Sequence, residues 1–145
     1  MNVKKLFLYG SGALLGLLAL AQVVPYGRAH TNPPVVREPS WDSPRTRELA
    51  VRACFDCHSN ETRWPWYSNV APVSWLVQRD VDEGRAELNF SRFDQPQKEA
   101  HESAEAVLEG EMPPWFYLPT HPEARLSAAE QAELVRGLRA TFGGD

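Results

Sequence analysis

Cys54-Phe55-Asp56-Cys57-His58 restricts this chain more than any other stretch, because Cys54 and Cys57 are the only cysteines among its 145 residues and a histidine directly follows the second. Residues three and four apart share a face of a helical turn, so both thiols are aimed at one object while His58 can turn beneath it. A disulfide across so short a loop would stabilise little. A thioredoxin-type dithiol belongs beside a strand in a βαβ pattern, and no alternating run of strand length occurs here. A four-ligand zinc site would need His101 and His121 at a spacing unlike the usual paired histidines. Thioether linkage of the two sulfurs to a haem, with His58 as an axial iron ligand, satisfies every position of the pattern. The expectation is one haem c attached through Cys54 and Cys57.

Lys4 and Lys5 precede an uncharged run from Leu6 to Val24, long enough to cross a bilayer and longer than a usual signal h-region. Ala19-Leu20-Ala21 is also a small-x-small cleavage signature, so residues 1–24 read as a retained anchor or a removed signal peptide. Either form places the rest of the chain across the membrane from the two lysines, in the periplasm. Residues 25–40 carry Pro33-Pro34 and Pro39 and read as a linker, leaving 41–145 as one domain. The formal charge is −4 with Lys4 and Lys5 counted, which makes the exported part more acidic still and argues against a nucleic-acid partner. Its cations are mostly arginine, suited to carboxylates such as haem propionates but more often simply solvated.

The body reads as all-α. Ser43-Pro44 offers an N-cap and a proline at the first helical position, and Leu49, Ala50, Ala53, Cys54 and Cys57 then recur at helical spacing. A second helix is expected from about Pro72 through Leu88, weakened but not ended by Gly84. A third should run from about Pro96 and stop at or before Met112, because Pro113-Pro114 follow. Ser127-x-x-Glu130 makes a capping box for the last helix, which Gly143-Gly144 close.

With His58 on one side of the iron, the sixth ligand sets the chemistry: a second strong ligand favours electron transfer, whereas an open site permits small-molecule binding. Met112 is the first candidate, since it is the only methionine besides the initiator, follows Gly110 at a helix exit and is stiffened by two prolines. His121, between Pro119 and Pro122, is the alternative distal ligand; His101 on its glutamate-rich helix and His30 in the linker rank below. Trp64, Trp66 and Tyr67 on one side and Trp115, Phe116 and Tyr117 on the other could wall an apolar pocket.

The segments Cys54–Thr62, Arg63-Trp64-Pro65-Trp66-Tyr67-Ser68-Asn69, Ala71-Pro72-Val73-Ser74-Trp75, Gly84-Arg85 and Met112-Pro113-Pro114-Trp115 with His121-Pro122 together resemble the bacterial monohaem haem-binding domain proteins, which are similar to c-type cytochromes. The resemblance runs from about His30 to Phe142. It implies haem attachment at Cys54 and Cys57, His58 as axial ligand, and an export signal or anchor. The function expected from the residues is single-electron transfer between redox partner proteins in the periplasm or at the outer face of the inner membrane. The alternative is a haem enzyme or gas sensor with an open or labile sixth site, which would normally need a distal acid/base pair that the chain does not evidently offer.

Overall fold

A computed structural model describes residues 2–143, and among them every regular element is helical. The elements are α1 (Val3–Ala21), α2 (Pro44–Ala53), α3 (Phe55–His58), α4 (Val73–Glu87), α5 (Ser103–Leu108) and α6 (Ala128–Phe142), with short 3₁₀ turns at Trp66–Asn69, Lys98–Glu102 and Pro122–Ala124. The chain divides into two compact units. The first comprises the chain up to Thr31 with Trp64–Asp80, and the second Asn32–Arg63 with the chain from Val81 onward.

In the first unit, α1 is long and apolar enough to cross a membrane, and none of it is buried by the rest of the protein. Gln22, just past its end, bonds the backbone of Ala71: Nε2 donates to the carbonyl at 2.8 Å and Oε1 accepts from the amide at 3.1 Å. The 3₁₀ turn and the start of α4 complete this unit.

The second unit carries the core. The Ser43 side chain accepts from Thr46 N at 3.1 Å and Pro44 opens α2, whose buried face is Thr46, Leu49, Ala50 and Ala53. This is the spacing of one helical stripe. At α6 the capping box is complete, with Glu130 N donating to Ser127 Oγ and Ser127 N to Glu130 Oε2, and Gly143 takes a left-handed φ of 73°. Leu134, Val135 and Leu138 of α6 meet Leu49, Phe55, Phe90 and Val107, and burial of each large apolar side chain contributes about 1.5–3 kcal/mol. Trp41, Phe93 and Phe142 extend this core through aromatic contacts of 5.2–5.4 Å.

Two local outcomes differ from a plain reading of the pattern. The third helix opens as the 3₁₀ turn Lys98–Glu102 and becomes α-helical only at Ser103. Gln97 is the reason: its side chain accepts from Asn89 N and donates to Arg92 O, holding the start of the segment to the preceding loop. Within the stretch expected as a linker, residues 32–40 lie along 89–93. Val36 N and Arg37 N donate to Ser91 O, Phe93 N donates to Arg37 O, and Arg37 and Arg92 form an isolated parallel bridge.

Candidate functional site

The chain turns sharply at Cys54, which ends α2 by donating its N–H to Ala50 O at 2.8 Å and then starts α3. Cys57 N and His58 N both return to Cys54 O, at 3.2 and 2.9 Å, so the pentapeptide is one tight helical turn. Everything after it is tied down. Ser59 Oγ donates to Phe55 O, Thr62 Oγ1 donates to Asp56 O, and Arg85 Nε donates to Ser59 O at 2.7 Å. Asn60 donates to Pro34 O and accepts from Asn89 Nδ2. Gly84 of α4 sits against the Cys57 carbonyl, where an added Cβ would come within 2.7 Å of the oxygen.

His58 Nδ1 lies 3.1 Å from Leu88 O. A carbonyl can only accept, so Nδ1 carries the proton and Nε2 keeps its lone pair for a metal. Burial lowers the His58 pKa and so favours the neutral imidazole, against the opposing pull of the Leu88 and Gly84 carbonyls. Burial also pushes the Cys54 thiol up to about 12, with the neighbouring Cys57 adding to the rise. A redox dithiol needs the opposite, a depressed thiol pKa.

Cys54, His58 and Met112 line one cleft of about 280 Å³, whose apolar wall includes Leu88, Phe90, Val107 and Leu138. The Met112 backbone is set by the end of α5. Gly110 takes φ +76°, its N–H reaches Val107 O at 3.2 Å, and Glu111 N and Met112 N both reach Ala106 O at 3.0 Å. These are the bonds of a Schellman motif plus one further amide. Met112 remains 37% exposed, so its thioether is not consumed by core packing.

His121 is placed elsewhere, its ring stacked on Tyr117 at 3.7 Å and its Nδ1 3.1 Å from Tyr117 O; it is not among the residues lining the cleft. Trp115 is 81% exposed, edge-on to Phe116. Trp64 and Trp66 belong to the first unit, where Trp64 stacks on His30 at 4.8 Å and Trp66 is 79% exposed. His101 is on the surface beside Glu102. Among the described residues no group of three or more histidine, cysteine or acidic side chains is arranged to hold a bare metal ion.

Glu87, Glu99, Glu102 and Glu111 also line the cleft, while among the described residues no arginine or lysine does. Three arginines are paired within the protein: Arg47 with Glu38 at 2.6 Å, Arg52 with Glu130 at 2.6 Å, and Arg63 with Asp56 at 3.1 Å. The acidic lining therefore favours the more positive state of whatever the cleft holds.

Of the expected haem residues, Cys54, His58 and Met112 line this cleft and Cys57, in the same helical turn, is not among its lining residues. A histidine, a thioether and a thiol around a largely apolar cavity fit haem. A family model described as the haem-binding domain matches residues 16–140. The chain belongs to this haem-binding domain family. No curated protein and no solved structure gives a significant match.

In this haem-binding domain, two residues that matter for the site had no role readable from the sequence. Asp56, between the cysteines, is buried and accepts from Arg63 N, the Arg63 guanidinium and the Tyr117 hydroxyl. Leu88 supplies the carbonyl that orients His58. Position 56 is a free position of the haem motif, and the Leu88 contact uses a backbone atom, so neither leaves a side-chain signature.

Proposed function

We propose that this haem-binding domain carries one haem c, thioether-linked through Cys54 and Cys57, and serves as a single-electron relay in the periplasm, anchored by α1 to the inner membrane. The observation that carries the reading is the sharing of one apolar cleft by Cys54, His58 and Met112. A haem held there supplies a ferric/ferrous couple. His58 would offer Nε2, kept unprotonated by the Leu88 bond, and Met112 its sulfur, a soft ligand that favours ferrous iron. Leu88, Phe90, Val107 and Leu138 would exclude water, so that little solvent has to reorganise when the charge changes. Lys4 and Lys5 support the topology, because lysines flanking a spanning helix stay on the cytoplasmic side.

The test is intact-mass measurement of protein matured in a host competent for c-type haem attachment, followed by absorption spectra of wild type and Met112→Ala. One added haem that survives denaturation is expected, together with a weak far-red sulfur-to-iron band in the ferric wild type that Met112→Ala abolishes while lowering the reduction potential. An unmodified mass with two free thiols would refute the covalent linkage. If the band and potential survive Met112→Ala while His121→Ala yields a five-coordinate haem, the distal ligand is His121.

A further inference from the structure

The chain that leaves α1 is fastened three times within nine residues. Gln22 clasps the Ala71 backbone through both ends of its amide, and Arg28 donates to the same Gln22 Oε1 at 3.0 Å. Gly27, at φ +81°, lies so close to Ser74 that a Cβ would collide with the Ser74 carbonyl. The His30 ring stacks on Trp64, and its Nε2 meets Ser68 O at 3.0 Å and Ser68 Oγ at 2.9 Å. This segment is a collar that pins residues 64–76 to the exit of α1, and the first fastening is one residue past the helix end.

What the collar holds there is apolar and exposed. Val70 is one residue from the clasped Ala71 and Val73 is two; they are 45% and 41% exposed. Leu76, one turn along α4 on the same face as Val73, is 58% exposed, and Trp66 is 79% exposed. Tyr26 in the collar is 47% exposed. No charged residue occurs anywhere in 6–27 or in 64–78, and the residues bordering these runs, Lys5, Arg28, Arg63 and Arg79, are all cationic. Two charge-free runs with exposed Trp, Tyr and aliphatic side chains, tied to each other at the exit of an apolar helix and flanked by arginine, have the chemistry of the bilayer headgroup zone.

We infer that this face of the first unit, centred on Trp66, Val70, Val73 and Leu76, docks into the interface of the same bilayer that α1 enters, with lipid as its occupant. The docking rests on the proposed insertion of α1. It makes the anchor part of the folded unit, so the first unit lies on the membrane surface and is not suspended on a tether.

Full-length, haem-loaded chain in phospholipid nanodiscs tests this with nitroxide labels on Leu76→Cys, Leu14→Cys or Ala132→Cys. Collision with lipid-soluble dioxygen is compared with collision with a water-soluble nickel chelate, after subtracting the signal of the identically labelled parent chain. Far-ultraviolet circular dichroism confirms that each variant is folded, because a thioether-linked haem stays on the chain whether or not it is folded. Leu14 on α1 and Leu76 should both favour dioxygen several-fold, and Ala132 on α6 should favour nickel several-fold. If Leu14 favours dioxygen while Leu76 follows Ala132, α1 is inserted but the docking is refuted. Shielding of Leu76 from both reagents would mean a protein partner or a second copy and would equally overturn the lipid assignment. Exposure of Leu14 to nickel would show that the insertion reading itself had failed, and the docking with it.

Discussion

The Tyr117 hydroxyl donates to Asp56 Oδ2 at 2.7 Å, which joins the residue between the two cysteines to the loop that leads away from Met112. Asp56 Oδ1 meanwhile accepts from Arg63 N at 3.0 Å and Arg63 Nε at 3.2 Å. One buried carboxylate thus fixes α3, the chain after it and the loop beyond the cleft.

Tyr117→Phe should lower the unfolding free energy by about 1.5 kcal/mol, the scale of a hydrogen bond to a charged group, with an unchanged denaturant slope. Burial, followed by the Asp56 charge, pushes the Tyr117 ionisation well above its ordinary 10.0. Above that pH the unfolded phenol loses its proton while the folded one keeps it, so this contribution to stability is full below pH 10 and declines as pH rises past it. The Phe variant lacks the decline. Urea titrations from pH 8 to 11 should therefore show the gap between the two proteins narrowing above pH 10; a constant gap would refute the linkage.

Gly84→Ala and Gly110→Ala should fail differently. At Gly84 the new Cβ meets Cys57 O at 2.7 Å and Cys57 Cβ at 3.0 Å, so α4 must shift away from the haem motif at a cost of about 1–3 kcal/mol. At Gly110 nothing lies within 4 Å, and the cost is the left-handed backbone alone, about 1–2 kcal/mol. The first variant should reduce the yield of covalently haem-loaded protein by mass. The second should keep that yield and weaken the far-red band assigned to Met112.

Neutralising the carboxylates that line the cleft should raise the reduction potential, because each negative charge favours the oxidised state. For Glu99→Gln or Glu102→Gln the rise should be roughly 20 mV, about 0.5 kcal/mol, half of what two unit charges in close contact exchange in a water-like medium. Potentiometric titration at low and high salt checks it. The effect should shrink as ionic strength increases.

Acid stability should depend on Glu130, which closes the α6 capping box and also receives Arg52 at 2.6 Å. The Arg52 hydrogen bond first, then the Ser127 bonds, lower its pKa from 4.5 to about 2. The contribution of a carboxylate with a depressed pKa is complete above 4.5 and is lost as pH falls toward 2. Glu130→Gln should thus be less stable than wild type at neutral pH and converge with it as pH approaches 2. Circular dichroism across that range would show the convergence.

What the amino-acid order determined by itself is everything set by residues within about four positions of one another. Ser43-Pro44 and Ser127-x-x-Glu130 place the starts of α2 and α6, Gly110 and Gly143 place helix ends, and the spacing of Cys54, Cys57 and His58 makes one helical turn. Backbone amides at helix ends need nearby partners, and these residue types supply them, so such signals survive without the fold. Tertiary structure decided the rest: that Met112, ranked first by its uniqueness and its place at a helix exit, shares the cleft with His58 while His121 does not, that glutamates and, among the described residues, no arginine line it, that Asp56 finds Tyr117 across 61 residues, and that Gln22 clasps Ala71 across 49. Each depends on which segments pack together, a choice made by burial of the core as a whole, and burial is non-directional and leaves no mark on the individual partners.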